Sequence, residues 1–406
     1  MLTILKKKFQ YVFDRPWIII SLIVVLSLSI RLWHLGAVKE QIFDEVYFIT
    51  FAKNYLSNTP FFDIHPPLGK LILAIGIKIF NGSEFSWRIM PAIFGTGLIV
   101  LGYFTGKELA GKIVGIFTAI IISLDGMFLV YSRAGLIDIF MIFFILFSFY
   151  CFLKFANSQK ILFLILAGLF LGMAASIKYI AAMVFLTFIV IGIVKKIPFK
   201  KYFLHYLLFL IFLPVIVYLS FFIFNFGINK SFFNQVIEWH IQSFKYNLYL
   251  TEGHPYGSRW WSWFLLLRPI WLYFKDVNGK YVGIDGIGNP LAWWSSIIVI
   301  PLLIWGIYKK KKSNVIILAA FLIFLIPWAF FKRVLFFYHA MPSFMFLSIG
   351  ISLWLAELWR AKKGKLFVYL YFVILLALFI YFLPIWLAIP IEPALFYHRI
   401  WLKGWI

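Results

Sequence analysis

The chain has 406 residues, of which 64% are hydrophobic and 13% charged, with a formal charge of +23 at pH 7. About a quarter of the residues in a soluble domain are charged, so this composition excludes a soluble globular protein and indicates a polytopic membrane protein. The single cysteine, Cys151, excludes an internal disulfide framework and any cysteine-based metal cage.

A membrane crossing needs about 20 apolar residues. Eleven segments fit, at 17–35, 88–105, 113–130, 136–153, 161–177, 179–194, 203–224, 291–308, 314–331, 335–356 and 366–388. Lys6-Lys7-Lys8 precedes the first apolar run, which has no small-residue cleavage site at its end. That run is expected to be an uncleaved signal that stays as the first span. With the N-terminus placed in the cytoplasm, the inner segments hold 20 of the 38 basic residues and only three of the 15 acids. Lys195-Lys196, the lysines at 309–312 and the basic tract at 360–365 all fall inside. Basic loops mark the cytoplasmic side, so the large charge reflects topology and not nucleic-acid binding.

Twelve acids then lie on the outer half, where two long loops stand out at 36–87 and 225–289. Both are rich in aromatics and proline and are expected to hold interfacial helices. The expected organisation is a transmembrane module over 1–224 carrying the first outer loop, an extracytoplasmic loop over 225–290, and a C-terminal four-span module over 291–406. No Walker-type or GxGxxG loop is present, so a nucleotide donor is not indicated.

The first outer loop opens with Phe43-Asp44-Glu45. Ionisable groups beside a bilayer are costly and mark function by default. Neighbours on a helix point about 100° apart, so these two carboxylates cannot flank one bond as a glycosidase pair does. Two readings fit: a solvated helix start capped by Asp44, or one carboxylate as general base with the other orienting. Further on, Asp63-Ile64-His65-Pro66-Pro67-Leu68-Gly69-Lys70 leads into an apolar helix expected to begin near Leu68. The two prolines fix φ and hold Asp63 and His65 at the membrane surface.

Arg88, Arg133, Lys178 and Lys332-Arg333 sit at the outer face, against the positive-inside trend. Cations there suit a lipid phosphate at headgroup depth. Pairing with acids is the competing reading, and Asp125 and Asp138 are the partners open to Arg133. The second long loop carries Glu252-Gly253-His254-Pro255-Tyr256-Gly257-Ser258-Arg259-Trp260-Trp261-Ser262-Trp263. Clustered tryptophan is either an interfacial belt or, beside Arg and His, a grip for sugar and phosphate. No HExxH, Cys/His cluster or EF-hand spacing occurs, and no metal or cofactor is expected. No repeat of 20–50 residues supports an inverted-repeat transporter.

Taken together, seven strings resemble the protein O-mannosyltransferase family, the polyprenyl-phosphate-mannose-dependent branch of the GT-C glycosyltransferases. They are Phe43-Asp44-Glu45, Phe62-Asp63-Ile64-His65-Pro66-Pro67-Leu68-Gly69-Lys70, Tyr131-Ser132-Arg133-Ala134-Gly135-Leu136-Ile137-Asp138, Ser176-Ile177-Lys178-Tyr179, the stretch 254–274, Gly288-Asn289-Pro290-Leu291-Ala292-Trp293-Trp294 and Tyr338-His339-Ala340-Met341-Pro342. They run in family order from the first outer loop to the tenth span. The resemblance implies an all-α polytopic membrane protein of GT-C fold in the cell membrane, with about eleven spans and its site outside. It implies inverting transfer of mannose from a polyprenyl phosphate to Ser or Thr hydroxyls of a translocated protein. The partners implied are the membrane lipid donor, a secreted or membrane protein acceptor and the secretion translocon, with no nucleic acid.

By the same resemblance Asp44 would be the general base, and Glu45 would hold acceptor or loop geometry. Arg88, Arg133, Lys178, Arg259 and His339 would hold the donor phosphate and sugar. Asp63, His65, Asp138 and His254 would support the site or the acceptor. A lipid phosphate leaves as an anion and needs cations rather than a general acid, which agrees with a single base. The large soluble module of eukaryotic members is absent from the fourth outer loop, as in the compact prokaryotic members. Transfer to a lipid or cell-wall glycan is the alternative reading. A lipid or sugar transporter is a third, and it would need ionisable groups at mid-bilayer where this chain places them near the outer ends of its spans.

Overall fold

In the computed structural model, residues 15–249, 253–361 and 363–406 are described. Lys6-Lys7-Lys8, Asp14, Glu252 and Lys362 lie outside the described residues. Seven helices are long and apolar enough to cross a membrane: Glu84–Ala110, Asp138–Ser158, Phe199–Phe226, Pro290–Tyr308, Lys312–Ala329, Phe337–Arg360 and Gly364–Trp386. The other four spans expected from the sequence fall on shorter apolar helices, Pro16–Leu32, Lys112–Ser123, Ile161–Ala175 and Tyr179–Lys195.

The chain begins with α1 (Pro16–Leu32), and its first outer loop folds into α2 (Glu45–Ser57) and α3 (Leu68–Ile79). Pro67 fixes the entry to α3, as the sequence indicates. α4 (Glu84–Ala110) and α5 (Lys112–Ser123) pack as an antiparallel pair joined at Gly111. A short α6 (Gly126–Tyr131) leads through a tight turn into α7 (Asp138–Ser158), which packs on α8 (Ile161–Ala175) and α4.

The apolar spans differ sharply in what surrounds them. The apolar window of α7 is 78% buried and that of Phe337–Arg360 is 83% buried, so these two form the protein-packed centre. The window of Phe199–Phe226 is 17% buried and that of Gly364–Trp386 is 28% buried, so most of their apolar surface faces outward, where lipid would cover it. After α9 (Val184–Lys195), the Phe199–Phe226 helix is composite: α10 (Phe199–Tyr206), a wide π turn at Leu207–Phe212, then α11 (Leu213–Phe226). The π turn presses its Phe209 carbonyl onto Gly168 of α8, where a Cβ would meet the oxygen at 1.6 Å.

The second outer loop is not purely helical. It contains α12 (Phe232–Tyr249), a 3-10 turn at Trp260–Leu265, and a hairpin of β1 (Trp271–Val277) and β2 (Lys280–Asp285). The strands pair antiparallel, Val277 with Lys280 and Phe274 with Gly283, with an irregularity between Trp271 and Tyr273. Asn278 and Gly279 form the turn at φ 53° and 79°, the two positive values of a type I′ turn. This hairpin adds to the interfacial helices expected there and is the one sheet in an otherwise helical fold, among the described residues.

The C-terminal part holds α13 (Pro290–Trp294), α14 (Ser296–Tyr308), α15 (Lys312–Leu325), α16 (Met341–Arg360), α17 (Gly364–Trp386) and a short α18 (Pro393–Tyr397). The chain then folds back on the hairpin. Ile391 bridges Tyr281, and Trp271 Nε1 donates to the Trp405 carbonyl at 2.6 Å. Trp405, fully buried, donates its own Nε1 to the Leu266 carbonyl at 2.5 Å.

Candidate active site

Asp44 stands at the first position before α2, directly after Phe43. Phe43 has φ +48°, a strained conformation for a bulky residue, and its ring packs on Tyr338 at 6.1 Å between centroids. The Asp44 side chain makes no cap hydrogen bond. The helix-cap reading of Asp44 therefore fails on geometry. The work at this helix start is done by Glu45, whose Oε2 accepts the Ile42 N–H at 3.0 Å.

The Asp44 carboxyl is pushed up from its ordinary value to about 6, first by burial, then by the nearby Asp138 and Asp63, with Lys178 pulling the other way. A base held near the working pH is ionised yet strongly proton-seeking. Lys178 Nζ bonds Asp138 Oδ1 at 2.7 Å and lies over the Tyr338 ring at 5.2 Å. His65 is held neutral, chiefly by burial and then by the cations Lys178, Lys70 and Arg333 and by His339. His339 stacks beside Tyr338 with centroids 4.5 Å apart. Asp44, Asp138, Lys178, His65, Tyr338 and His339 thus form one cluster at the outer ends of the spans.

On the far side of His339 lies a cavity of about 530 Å³. Trp328, whose ring is 4.2 Å from His339, forms the wall between them. His254, Arg259, Lys332 and Arg333 line the cavity with Trp260 and Trp261. Arg259 and Lys332 are exposed and make no ion pair among the described residues. Arg333 leans on the Asn247 side-chain oxygen. The Trp-rich stretch divides its duties: Trp263 is buried with its Nε1 on Ser258 Oγ at 2.9 Å, while Trp261 is 55% exposed at the cavity.

Two of the expected phosphate-binding arginines are placed elsewhere. Arg88 is buried and grips Glu45 with two bonds of 2.8 Å, and its remaining N–H groups go to the carbonyls of Leu35, Val38 and Glu40. All five guanidinium donors are spent, so Arg88 has none left for a phosphate. Glu45 in turn accepts the Gly135 N–H at 2.6 Å. It has no proton-accepting capacity to spare, and though named with Asp44 as a catalytic residue its bonds serve only to hold the loop and Arg88. Arg133 Nη1 donates to the carbonyls of Ile30, Arg31 and Trp33, closing the C-terminus of α1. It neither pairs with Asp125 or Asp138 nor joins the acid cluster. Burial and the neighbouring Arg88 draw its guanidinium down to about 10.

The other expected site residues divide in the same way. Asp63 is buried against Lys70 at 2.5 Å, and Lys70 also holds the His65 carbonyl at 2.5 Å. This pair fixes the loop before α3, so Asp63 supports the site without facing an acceptor. His254 Nδ1 accepts the Tyr256 N–H at 3.1 Å and lines the cavity. Asp125 accepts from Phe128, from Asn289 N–H at 3.0 Å and from Trp293 Nε1 at 2.8 Å. That junction clamps the two halves of the chain and explains why Gly288-Asn289-Pro290 is followed by tryptophan. Sequence reasoning missed Lys70 and Tyr338 as members of the site region. Both lie in strings already singled out; Lys70 acts locally, on Asp63 and His65, while Tyr338 is recruited by Phe43 and Lys178, far away in sequence. Among the described residues no group of three or more His, Cys, Asp or Glu is arranged to hold a metal ion.

Comparison with known proteins agrees along the whole chain. The family described as dolichyl-phosphate-mannose-protein mannosyltransferase matches residues 21–81 and 73–228, and the C-terminal four TMM region of protein-O-mannosyltransferase matches 232–405. The polyprenol-phosphate-mannose–protein mannosyltransferase of Corynebacterium glutamicum is 27% identical, covering 84% of this chain and 81% of that protein. The enzyme of the same description from Mycobacterium tuberculosis is 23% identical, covering 96% and 92%. Among solved structures, the S. cerevisiae protein O-mannosyltransferase Pmt1-Pmt2 complex bound to the sugar donor superposes with a TM-score of 0.86 at 17% identity, over 97% of this chain and 93% of that one. ArnT from Cupriavidus metallidurans bound to undecaprenyl phosphate gives a TM-score of 0.64 at 15% identity, over 89% of this chain and 63% of that one. The fold is that of the GT-C membrane glycosyltransferases, and the chain belongs to the dolichyl-phosphate-mannose-protein mannosyltransferase family.

Proposed function

We propose that this protein transfers mannose from a polyprenyl phosphate to Ser or Thr hydroxyls of proteins crossing the membrane, with inversion at the anomeric carbon. The observation that carries this reading is the Asp44 carboxyl: free of any cap bond, raised to about 6, and set beside Lys178. The acceptor hydroxyl loses its proton to Asp44 as its oxygen attacks the sugar. The glycosidic bond to phosphate breaks, and the phosphate leaves as an anion. Such a leaving group asks for fixed cations and not for an acid. Lys178 supplies one at the cluster, and Arg259, Lys332 and Arg333 supply more around the adjoining cavity. His339 and Tyr338 stand between the two and would face the sugar. Glu45, Arg88 and Arg133 hold the loop and the end of α1 in place.

The names of the bacterial relatives support the donor and acceptor classes. The charge bias of the loops supports an extracytoplasmic site in the cell membrane, with the secretion translocon as the source of unfolded acceptor chains. The test is transfer by purified protein from polyprenyl-phosphate-mannose to a Ser/Thr peptide and, separately, to a lipid acceptor. Mannosylated peptide is the expected product. Label in the lipid alone would reject the protein-acceptor reading.

A further inference from the structure

A second binding region lies at the opposite end of the molecule from Asp44. Lys178, beside the acid cluster, precedes the Tyr179–Lys195 helix. Lys195 is roughly 25 Å further along that helix axis. There an apolar groove of about 450 Å³ opens between α9 and the α10–π–α11 helix. This is within the ~300–1,000 Å³ range of small-molecule sites. Its floor is Phe152 stacked on Phe188 at 4.4 Å, together with Leu210. Its rims are exposed apolar side chains, with Ile193 at 71% and Phe203 at 54% exposure. The π turn at Leu207–Phe212 contributes Leu207, Leu210 and Ile211 to the lining.

The charged end of the groove is one-signed. Lys196 lines it, and Lys195, Lys200 and Lys201 flank it in the same short connection. Lys312 adds a further repulsive charge to Lys195. Of the two acids described on this face, Glu357 is bonded by Lys311 at 2.6 Å, and Glu108 by Lys154 at 3.0 Å and Asn157 at 2.7 Å, leaving Glu108 only a weaker, longer-range attraction for Lys195. Among the described residues Lys195, Lys196, Lys200 and Lys201 make no ion pair. An apolar slot ending in unpaired lysines fits a ligand with a hydrocarbon chain and an anionic head.

We propose that this groove binds an acidic phospholipid from the leaflet opposite the acid cluster, one acyl chain lying over Phe152 and Phe188 and the headgroup phosphate meeting Lys196 and Lys200. A polyprenyl-phosphate donor is the other anionic lipid in the system, but its phosphate has to reach Asp44 at the far membrane face. The groove is a separate site, independent of the transfer reaction.

Gly192 provides the handle for a test. It lines the groove, and a Cβ built there meets nothing within 4 Å, so Gly192→Phe fills the slot without disturbing the packing. The experiment uses the delipidated full chain in detergent, titrated with phosphatidylglycerol or phosphatidylcholine and read by native mass spectrometry and thermal melting. Phosphatidylglycerol is expected to bind and raise Tm, and phosphatidylcholine is not. Gly192→Phe should abolish the bound lipid, and Lys196→Gln with Lys200→Gln should weaken it about fivefold per lysine removed. Polyprenyl phosphate binding should persist in all variants. Equal stabilisation by the two phospholipids, or an unchanged phosphatidylglycerol response in Gly192→Phe, would overturn the proposal. Joint loss of polyprenyl phosphate binding in variants that melt normally would also overturn it, by making the groove part of the donor path.

Discussion

Neighbouring carboxylates at 44 and 45 have opposite fates because one is saturated with donors and the other has none. Asp44→Asn is expected to lower transfer by at least about 10²-fold, measured as product formed by purified protein. The pH dependence follows from the raised pKa. Asp44 is neutral below about 6, so transfer should fall as pH drops through that value. Stability runs the other way. A carboxyl whose folded pKa lies above its unfolded value loses stability as pH rises from about 4 to about 6. Asp44→Asn should therefore keep or raise Tm at pH 7, separating a lost base from a lost fold. Glu45→Gln should do the reverse. It leaves the Arg88 charge buried without its counter-ion, at a cost of about 3–5 kcal/mol, visible as a large drop in Tm. The acid pair was legible in the sequence because acids beside a bilayer are rare. The duties of Arg88 and Arg133 were not, because Arg88 pairs with an acid 43 residues away and its other partners, like those of Arg133, are backbone carbonyls. Three of those at Arg133 lie 100 to 103 residues away, and carbonyls carry no sequence signature.

Among the elements, the helices of the first outer loop follow from local chemistry: a proline pair before α3 and a self-capping Glu45 at α2. The hairpin was equally legible. Asn278-Gly279 between strand-like runs is a strong short-range turn signal, but the expectation for that loop followed its aromatic and proline content toward interfacial helices. Gly279→Val should test the turn. At φ 79° a β-branched residue is strained by about 1–2 kcal/mol, read as faster amide exchange along β1 and β2. The exposed Lys275–Glu40 bridge to the first loop should add little resistance to that loosening. The π turn had a sequence signal in Pro214, which offers no N–H to the Leu210 carbonyl and crowds it with its ring. The close approach of the turn to Gly168, a contact between separate spans, was not legible.

For the whole molecule, apolar length was enough to locate the apolar helices, but not to rank them. α7 and the Phe337–Arg360 helix are centre and the Phe199–Phe226 helix is flank, with mean hydropathies of 2.3, 1.5 and 2.8, so only the excess of the flank hinted at the order. Side-chain volumes and small-residue contacts decide the packing, and a hydropathy pattern does not record them. Orientation has a clean test. Cys151 is buried, so in intact cells a cysteine placed at the exposed Ser57 should be the dominant site for an impermeant thiol reagent. Labelling only after permeabilisation would reverse the topology.

The contacts of Trp405 have a consequence for synthesis. Trp271 waits for a carbonyl 134 residues later in the chain, and Arg268 for one 136 residues later. The hairpin therefore lacks its backing until the segment around 404–405 has been made. A nascent chain arrested at residue 390 would already hold its long apolar helices and its carboxylate cluster while the hairpin still lacked its partners at Ile391, Gly404 and Trp405. Support for the hairpin therefore arrives only after the seven long apolar helices have been made.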